Sequence, residues 1–349
     1  MAIGAGALVG NLSYVAIGRE TTYGTYSTCT AGINVLSASL KMMKETKILE
    51  EIQTSRTNSN FIQLGRTLEA SLEGYFSPRN AACNYLLQNA FGGGAVTSAT
   101  ATGDTIGAAV FQHTVDINNF LTTYSSLCIN SRKGDATSGK IFEYSGLRVN
   151  ELTLNAELDE ALMMSVSMVG KDATITSNDV SSSLTTATQV PLSFVNGRFS
   201  VETTAGSLTS TSFWHVQSME FKVSNNLNSD SSSRRIGSDT LAVLPAGLAQ
   251  FELKATLRFD TTTAYDAMMA GTRLAAEFFF EGSTMSGSKL KESIKLTMPY
   301  VVISDAGDPE IGGPNEVLTS EVSFAILRDP TTSGYAVKSV VINDTSSYA

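Results

Sequence analysis

The sequence predicts a mainly β protein built from two tandem β-sandwich or barrel domains, each with one short α-helix, related by internal duplication. Three observations carry that prediction. The first half recurs in the second: Val35–Lys41 (VLSASLK) aligns with Val216–Lys222 (VQSMEFK) at an offset of 181 residues (216 − 35). Gly65 meets Gly247 at 182, and Leu68–Leu87 meets Phe251–Met269 with Phe76 on Phe259 at 183, so three anchors drift by only two residues. Second, apolar and polar residues alternate through stretches such as Leu152, Leu154, Ala156 and Leu158, the period of a half-buried strand. Third, charged residues make up 16% of the chain, against roughly 25% in typical domains. Ser, Thr, Asn and Gly replace them, which suits a β protein whose surface is covered by copies of itself. A length of 349 residues fits two domains, placed at 1–180 and 181–349.

The elements follow in order. Residues 1–30 read as an extended arm and a turn, Val35–Met43 as a strand, Lys44–Asn60 as a polar loop, and Phe61–Phe76 as one long strand or a bulged pair. Ser77 at a cap position with Pro78 after it opens a helix, because proline lacks a donor that would be orphaned there anyway. Ala82, Cys83, Leu86 and Leu87 form its apolar face. Residues 91–108 read as a flexible loop. Strands are predicted at Phe111–Ile117, Ser126–Asn130 and Leu147–Leu158, with Met164, Val166 and Met168 on a hairpin partner. Ser/Thr-rich Asp172–Gln189 is the predicted linker. Asn196-Gly197 between alternating apolar residues predicts a hairpin. The second half retraces the first, with strands at 214–223, 248–259, 274–282, 291–303 and 317–328, a polar loop at 224–246, a helix at 260–270, and an extended arm after Pro330.

No catalytic constellation is visible. His113 and His215 both fall in predicted strands without ligands at metal spacing, so they read as ordinary strand residues. Gly92-Gly93-Gly94 lacks the flanking strand and Lys-Ser/Thr that phosphate binding needs. Glu50-Glu51 and Asp159-Glu160 are adjacent carboxylates, which point to opposite faces on a strand and are solvated in loops. Cys29, Cys83 and Cys128 are odd in number and widely spaced, indicating neither a disulfide framework nor a metal site. Cys83 reads as a small hydrophobe inside the first helix. No cofactor is expected, and the reading is of a non-enzyme.

A net charge of −9 argues against ordinary duplex binding, which needs clustered Lys and Arg. No run approaches the ~18 apolar residues of a membrane span. The N-terminus has no basic start, so no secretory signal is expected. An outer-membrane barrel is disfavoured by that start and by the two helices. A capsid decoration or adhesion protein of tandem β-domains is the alternative in the same class, and the single Trp214 counts against a carbohydrate-binding face. Arg56, Arg234 and Arg235, with Glu50, Glu51 and Asp230 in the same polar loops, read either as solvated loop charges or as subunit or ring contacts, since guanidinium forks favour bidentate carboxylate pairing.

The opening Gly18-x-Glu20-x-x-x-Gly24-Thr25, followed by a strand, a long polar loop and a strand running into one helix, resembles the tail tube proteins of long-tailed bacteriophages. Gly146–Leu152 (GLRVNEL) and Asn225-Asn226-Leu227 look family-like as well, so the resemblance spans nearly the whole chain. It implies a virion tail protein, made in the host cytoplasm, whose rings stack into a tube. It implies tape-measure and tail-terminator proteins as partners, and DNA passing through the lumen without specific binding. Many relatives carry one tube domain and form six-membered rings. Two domains per chain therefore predict a trimeric ring with pseudo-sixfold symmetry, with a hexameric ring second. The resemblance makes Lys44–Asn60 and Ser224–Ala246 the inter-ring loops, the terminal arms the locks between rings, and the tail non-contractile.

Overall fold

A computed structural model describes residues 10–346, apart from 53, 55, 94–96, 101–109, 118–124, 186–189, 209–212, 310–312, 314–316 and 331–333. In the first half the strands are β1 (Tyr14–Glu20), β2 (Ala31–Ile33), β3 (Ser37–Ile48), β4 (Phe61–Tyr75), β5 (Thr97–Thr100), β6 (Phe111–Asp116), β7 (Ser126–Lys133), β8 (Lys140–Glu157), β9 (Met163–Gly170) and β10 (Asp172–Thr176). Helix α1 (Ala81–Ala90) follows β4. The second half contains β11 (Gly197–Glu202), β12 (Val216–Ser224), β13 (Gln250–Arg258), helix α2 (Thr263–Ala270), β14 (Leu274–Thr284), β15 (Lys291–Ala306), β16 (Thr319–Ile326) and β17 (Lys338–Asn343). The fold is mainly β, with antiparallel pairing between these strands.

Each half hangs on one long strand that changes partners along its length. The first part of β8 pairs with β7 on one side and β10 on the other; its second part pairs with β9 and β12. β15 repeats the arrangement, pairing first with β14 and β17 and then, from Val301, with β16. β3–β4–β9 in the first half corresponds to β12–β13–β16 in the second. Alternate side chains of these strands point into one continuous core shared by both halves, including Leu152, Leu154, Phe221, Leu253 and Phe324. Phe251 stands 6.3 Å from Phe91 and 6.4 Å from Phe221 between ring centroids, joining α1 to the second half.

The turn in β8 explains the Gly-x-Glu-x-x-x-Gly stretch. Gly146 has φ +68, a left-handed conformation in which a side chain is strained, and Gly24 has φ +71 beside it. The Glu20 carboxylate, 1% exposed, accepts from Gly24 N at 2.8 Å, Gly146 N at 2.8 Å and Ser126 Oγ at 2.7 Å. One buried acid thus pins the loop after β1, the start of β7 and the bend of β8. Burial raises its pKa, against hydrogen bonds and Lys171, which favour the charged form.

Several expectations are corrected. The predicted N-terminal arm contains β1, a central strand between β2 and β7. Helix α1 starts three residues later than Ser77-Pro78 indicated, because Asn80 Oδ1 accepts from Ala82 N at 2.7 Å and Cys83 N at 3.4 Å, so Asn80 is the cap. The polar loop at Lys44–Asn60 is shorter, since β3 runs to Ile48 and pairs there with Phe61. The linker begins as β10, which pairs with β8. Asn196-Gly197 closes a 3-10 turn rather than a hairpin; Gly197 has φ −88 and is a glycine because the Phe280 ring lies 2.5 Å from where a Cβ would sit. The tail after Pro330 holds β17, inserted between β15 and β6 and so tying the C-terminal end to the first half. His215 lies one residue before β12. Of the loop at 91–108, Thr97–Thr100 form β5, and 94–96 and 101–108 lie outside the described residues.

Replacing Glu20 by Ala leaves three donors without their acceptor and should cost roughly 3 kcal/mol or more, read as a lower urea midpoint. Because the folded-state pKa is raised, the native state holds the proton longer than the unfolded chain, and Glu20 loses stability as pH climbs above the ordinary carboxylate range. Glu20→Gln should therefore gain on the unsubstituted chain between pH 4.5 and 7 in paired urea titrations; parallel stabilities across that range would refute the assignment.

Candidate assembly surfaces

Pairing runs without a break through eight strands in the order β3–β4–β9–β8–β12–β13–β16–β15. Because strand side chains alternate, directly opposed residues share a face. One row reads Ser39, Ser71, Ser167, Glu151, Ser224 and Gln250. Two rows further along the same face stand Asn155, Glu220, Lys254, Ser323 and Asp305. The opposite face is the core, so this sheet is apolar on one side and polar on the other. The charged residues on its polar rows are Glu45, Glu69, Glu73, Glu151, Glu157, Glu220, Glu252, Asp305 and Glu321 against Lys41, Lys47, Arg148, Lys222, Lys254 and Arg258, a modest acidic excess, while Lys44 and Arg66 stand on the alternate rows.

Among the described residues both ends of the sheet lack a strand partner on their outer side. Among the described residues β3 pairs only with β4, and the second part of β15 only with β16 beyond Val301. Unpaired edges of this length template further pairing unless they are used.

The junction in the middle of the sheet is internal. Seven residue pairs join β8 to β12, from Ser218 opposite Glu157 to Ser224 opposite Glu151. Lys222 Nζ lies 3.4 Å from Glu151 Oε1 across it. Buried Asn225 locks one end, donating to Ala90 O and Val149 O at 2.9 Å each, while Leu227 N donates to Asn150 Oδ1 at 2.9 Å. The family-like stretches Gly146–Leu152 and Asn225–Leu227 therefore meet at this junction, which their separation in sequence conceals.

From the junction the loop 225–249 reaches back over the β3–β4 hairpin. Arg66 holds Asp239, with Nη2 donating to Oδ1 at 3.2 Å, and its Nη1 lies 3.0 Å from Asp172 Oδ1. Lys44 stands 3.5 Å from Asp239. Burial pushes the Asp239 carboxyl up, and Arg66 with Lys44 outweigh it, so its pKa lies below the usual carboxylate value.

The sequence-predicted contact residues divide. Arg234 is engaged within its own chain: it lies over Gly65, where an added Cβ would meet its Cζ at 2.3 Å, and donates to Thr67 Oγ1 at 2.8 Å. Asp230 caps the short turn Ser231–Ser233 by accepting from Ser232 N at 2.7 Å, and hydrogen bonds from Ser232 hold its carboxyl below the usual range. Arg235 is exposed. Glu50, Glu51 and Arg56 sit exposed at the hairpin tip, where Asn60 Nδ2 donates to Glu51 Oε2 at 2.8 Å. Ile48, Ile52 and Phe61 at the same tip are 60%, 107% and 63% exposed, a concentration of apolar surface that water alone would cover.

Sequence reasoning missed Arg66 and Asp239, which stand 173 positions apart. It also missed that Cys29 Sγ lies 3.4 Å from Cys128 Sγ; both are free buried thiols, and burial pushes Cys29 up. His113 is buried on β6 with Nε2 3.0 Å from Asn343 Oδ1, and burial lowers its pKa. Among the described residues no group of three or more His, Cys, Asp or Glu could hold a metal, and no helix is long and apolar enough to cross a membrane.

A sheet polar on one face, unpaired at both edges among the described residues and flanked by an apolar-tipped hairpin fits a structural protein. The family comparison specifies which: the model of the phage tail tube proteins matches residues 10–326, and the chain belongs to that family. It is a structural component of a virion tail. No curated protein matches it.

Asn225→Ala strips both donors from the junction and should lower stability by about 2 kcal/mol in chemical denaturation. The Arg66–Asp239 pair, with side chains 28% and 41% exposed, should couple by under ~1 kcal/mol in a double-mutant cycle.

Proposed function

We propose that three copies of this chain close into a ring with pseudo-sixfold symmetry, and that stacked rings form the tail tube through which DNA leaves the virion. The observation that carries the reading is the β8–β12 junction. In it the second half adds to the first half's sheet by ordinary strand pairing, leaving one open edge at each end of the eight-strand sheet. Repeating that addition closes the edges, and closure removes the aggregation hazard. The halves 1–180 and 181–349 then act as equivalent units. The matching order of pairing in the two supports their origin by internal duplication.

Three sheets of eight give about 24 strands, which at ~4.8 Å spacing and ~40° tilt close at a backbone diameter of roughly 48 Å. That bore is wider than a DNA duplex. With the apolar face packed against the core, the polar face turns inward, and its excess of carboxylates repels phosphates carrying one charge per ~1.7 Å of axis. DNA passes without being held. The hairpin tip with Glu50, Glu51, Arg56 and its exposed apolar residues, together with Arg235 on the second loop, contacts the next ring. Tape-measure and tail-terminator proteins are the expected partners inside and at the end of the tube.

Negative-stain microscopy with two-dimensional averaging tests this directly: rings or tubes with three chains per turn are expected, and true six-chain rings would defeat the trimer. Replacing residues 50–59 by an Asn-Gly turn keeps the hairpin closed and should yield rings that no longer stack. Normal tubes from that variant would remove the hairpin from the ring contact.

A further inference from the structure

We infer that neighbouring copies join by adding β3 of one chain to the second part of β15 of the next, in a register already written inside the chain, with Lys41 of one copy paired to Asp305 of the other. This deepens the ring reading above and rests on it.

The register follows from position-by-position correspondence between the halves. Ser39, Ser71, Ser167 and Glu151 stand opposite one another across β3, β4, β9 and β8. Glu220, Lys254, Ser323 and Asp305 do the same across β12, β13, β16 and β15. Pairing is interrupted at the same point in both, between Val149 and Glu151 on β8 and between Ile303 and Asp305 on β15. Asp305 therefore occupies the place of Glu151, and Lys41 that of Lys222.

At the internal junction Glu151 is opposite Ser224, Leu152 opposite Val223, and Thr153 opposite Lys222. Carried to the open edges, Asp305 falls opposite Met43, Ala306 opposite Met42, and Gly307 opposite Lys41 of the next copy. Three features fit. The internal Lys222–Glu151 pair, 3.4 Å apart, has its counterpart in Lys41 and Asp305, both exposed in the single chain and of opposite charge. Buried Leu152 over Val223 has its counterpart in Ala306 beneath the larger Met42. An apolar hollow of about 480 Å³, lined in part by Phe213, Trp214, Leu257, Ala306 and Pro309, borders the β15 edge, while Leu36 stands 55% exposed where β3 begins. Main-chain pairing supplies the affinity of such an added strand, and the charged pair sets which register is accepted.

The test is disulfide trapping in the full chain. M43C/D305C, oxidised under assembly conditions, should give a covalent ladder that ends at a closed trimer on non-reducing gels, and K41C/D305C should cross-link at least ~5-fold less. Charge reversal provides a second measurement. K41E or D305K alone should lower the yield of rings ~10-fold, and K41E/D305K together should restore it. Rings without cross-links, stronger trapping by K41C/D305C, or no rescue by the double reversal would overturn this seam while leaving the tube reading in place. Absence of rings from the unsubstituted chain would overturn both.

Discussion

The pairing of β8 with β12 is the constraint on which the rest of the molecule depends. A strand buried on one face and hydrogen-bonded on only one side leaves a row of backbone donors and acceptors seeking partners. Here the second half meets that demand for the first, and the demand passes to β3 and to the far part of β15. The unpaired edges of the described residues thus resemble the two strands that pair in the middle of the chain. Closure with further copies would satisfy those edges, which is the physical basis for the proposed ring.

Long strands that change partners make that possible. β8 begins in one sheet and ends in another, and β15 changes partners from β14 and β17 to β16 along its length, so each long strand ties the eight-strand sheet to the rest of the fold. The bend in β8 needs a glycine at a left-handed position and a buried carboxylate to satisfy the amides it exposes. Glu20 does this at the cost of desolvating an acid, and its three donors recover part of that cost. The family-like opening is thus a structural knot that fixes the bend of β8.

The second-half loop and the first-half hairpin have taken different roles despite their matched positions. The loop folds back within its own chain, using Arg234 and Asp239, and secures the hairpin at its base. The hairpin projects with charged and apolar residues uncovered at its tip. Equivalent positions therefore divide into one loop whose contacts are completed inside the chain and one whose tip is exposed.

The sequence by itself determined the mainly β class and the longer strands, such as those at 61–75, 216–224 and 291–306, because these rest on local periodicity, and it left β1, β10 and β17 unread. Alternation at Leu152–Leu158 marks a strand wherever it folds, and the offsets 181 and 183 reappear in the strand pairing as Leu40 against Ala70 and Phe221 against Leu253. It placed Gly18, Glu20 and Gly24 correctly as notable without giving the reason. Only the tertiary structure decided which edge meets which, because pairing partners lie tens to hundreds of residues apart and backbone hydrogen bonding carries no sequence label. The same holds for Arg66 with Asp239, for Cys29 beside Cys128, and for Gly197, whose turn signal yields to the ring of Phe280. Local propensity proposes a conformation at each position; long-range packing selects among the proposals, and a surface made by assembly is the last thing it fixes.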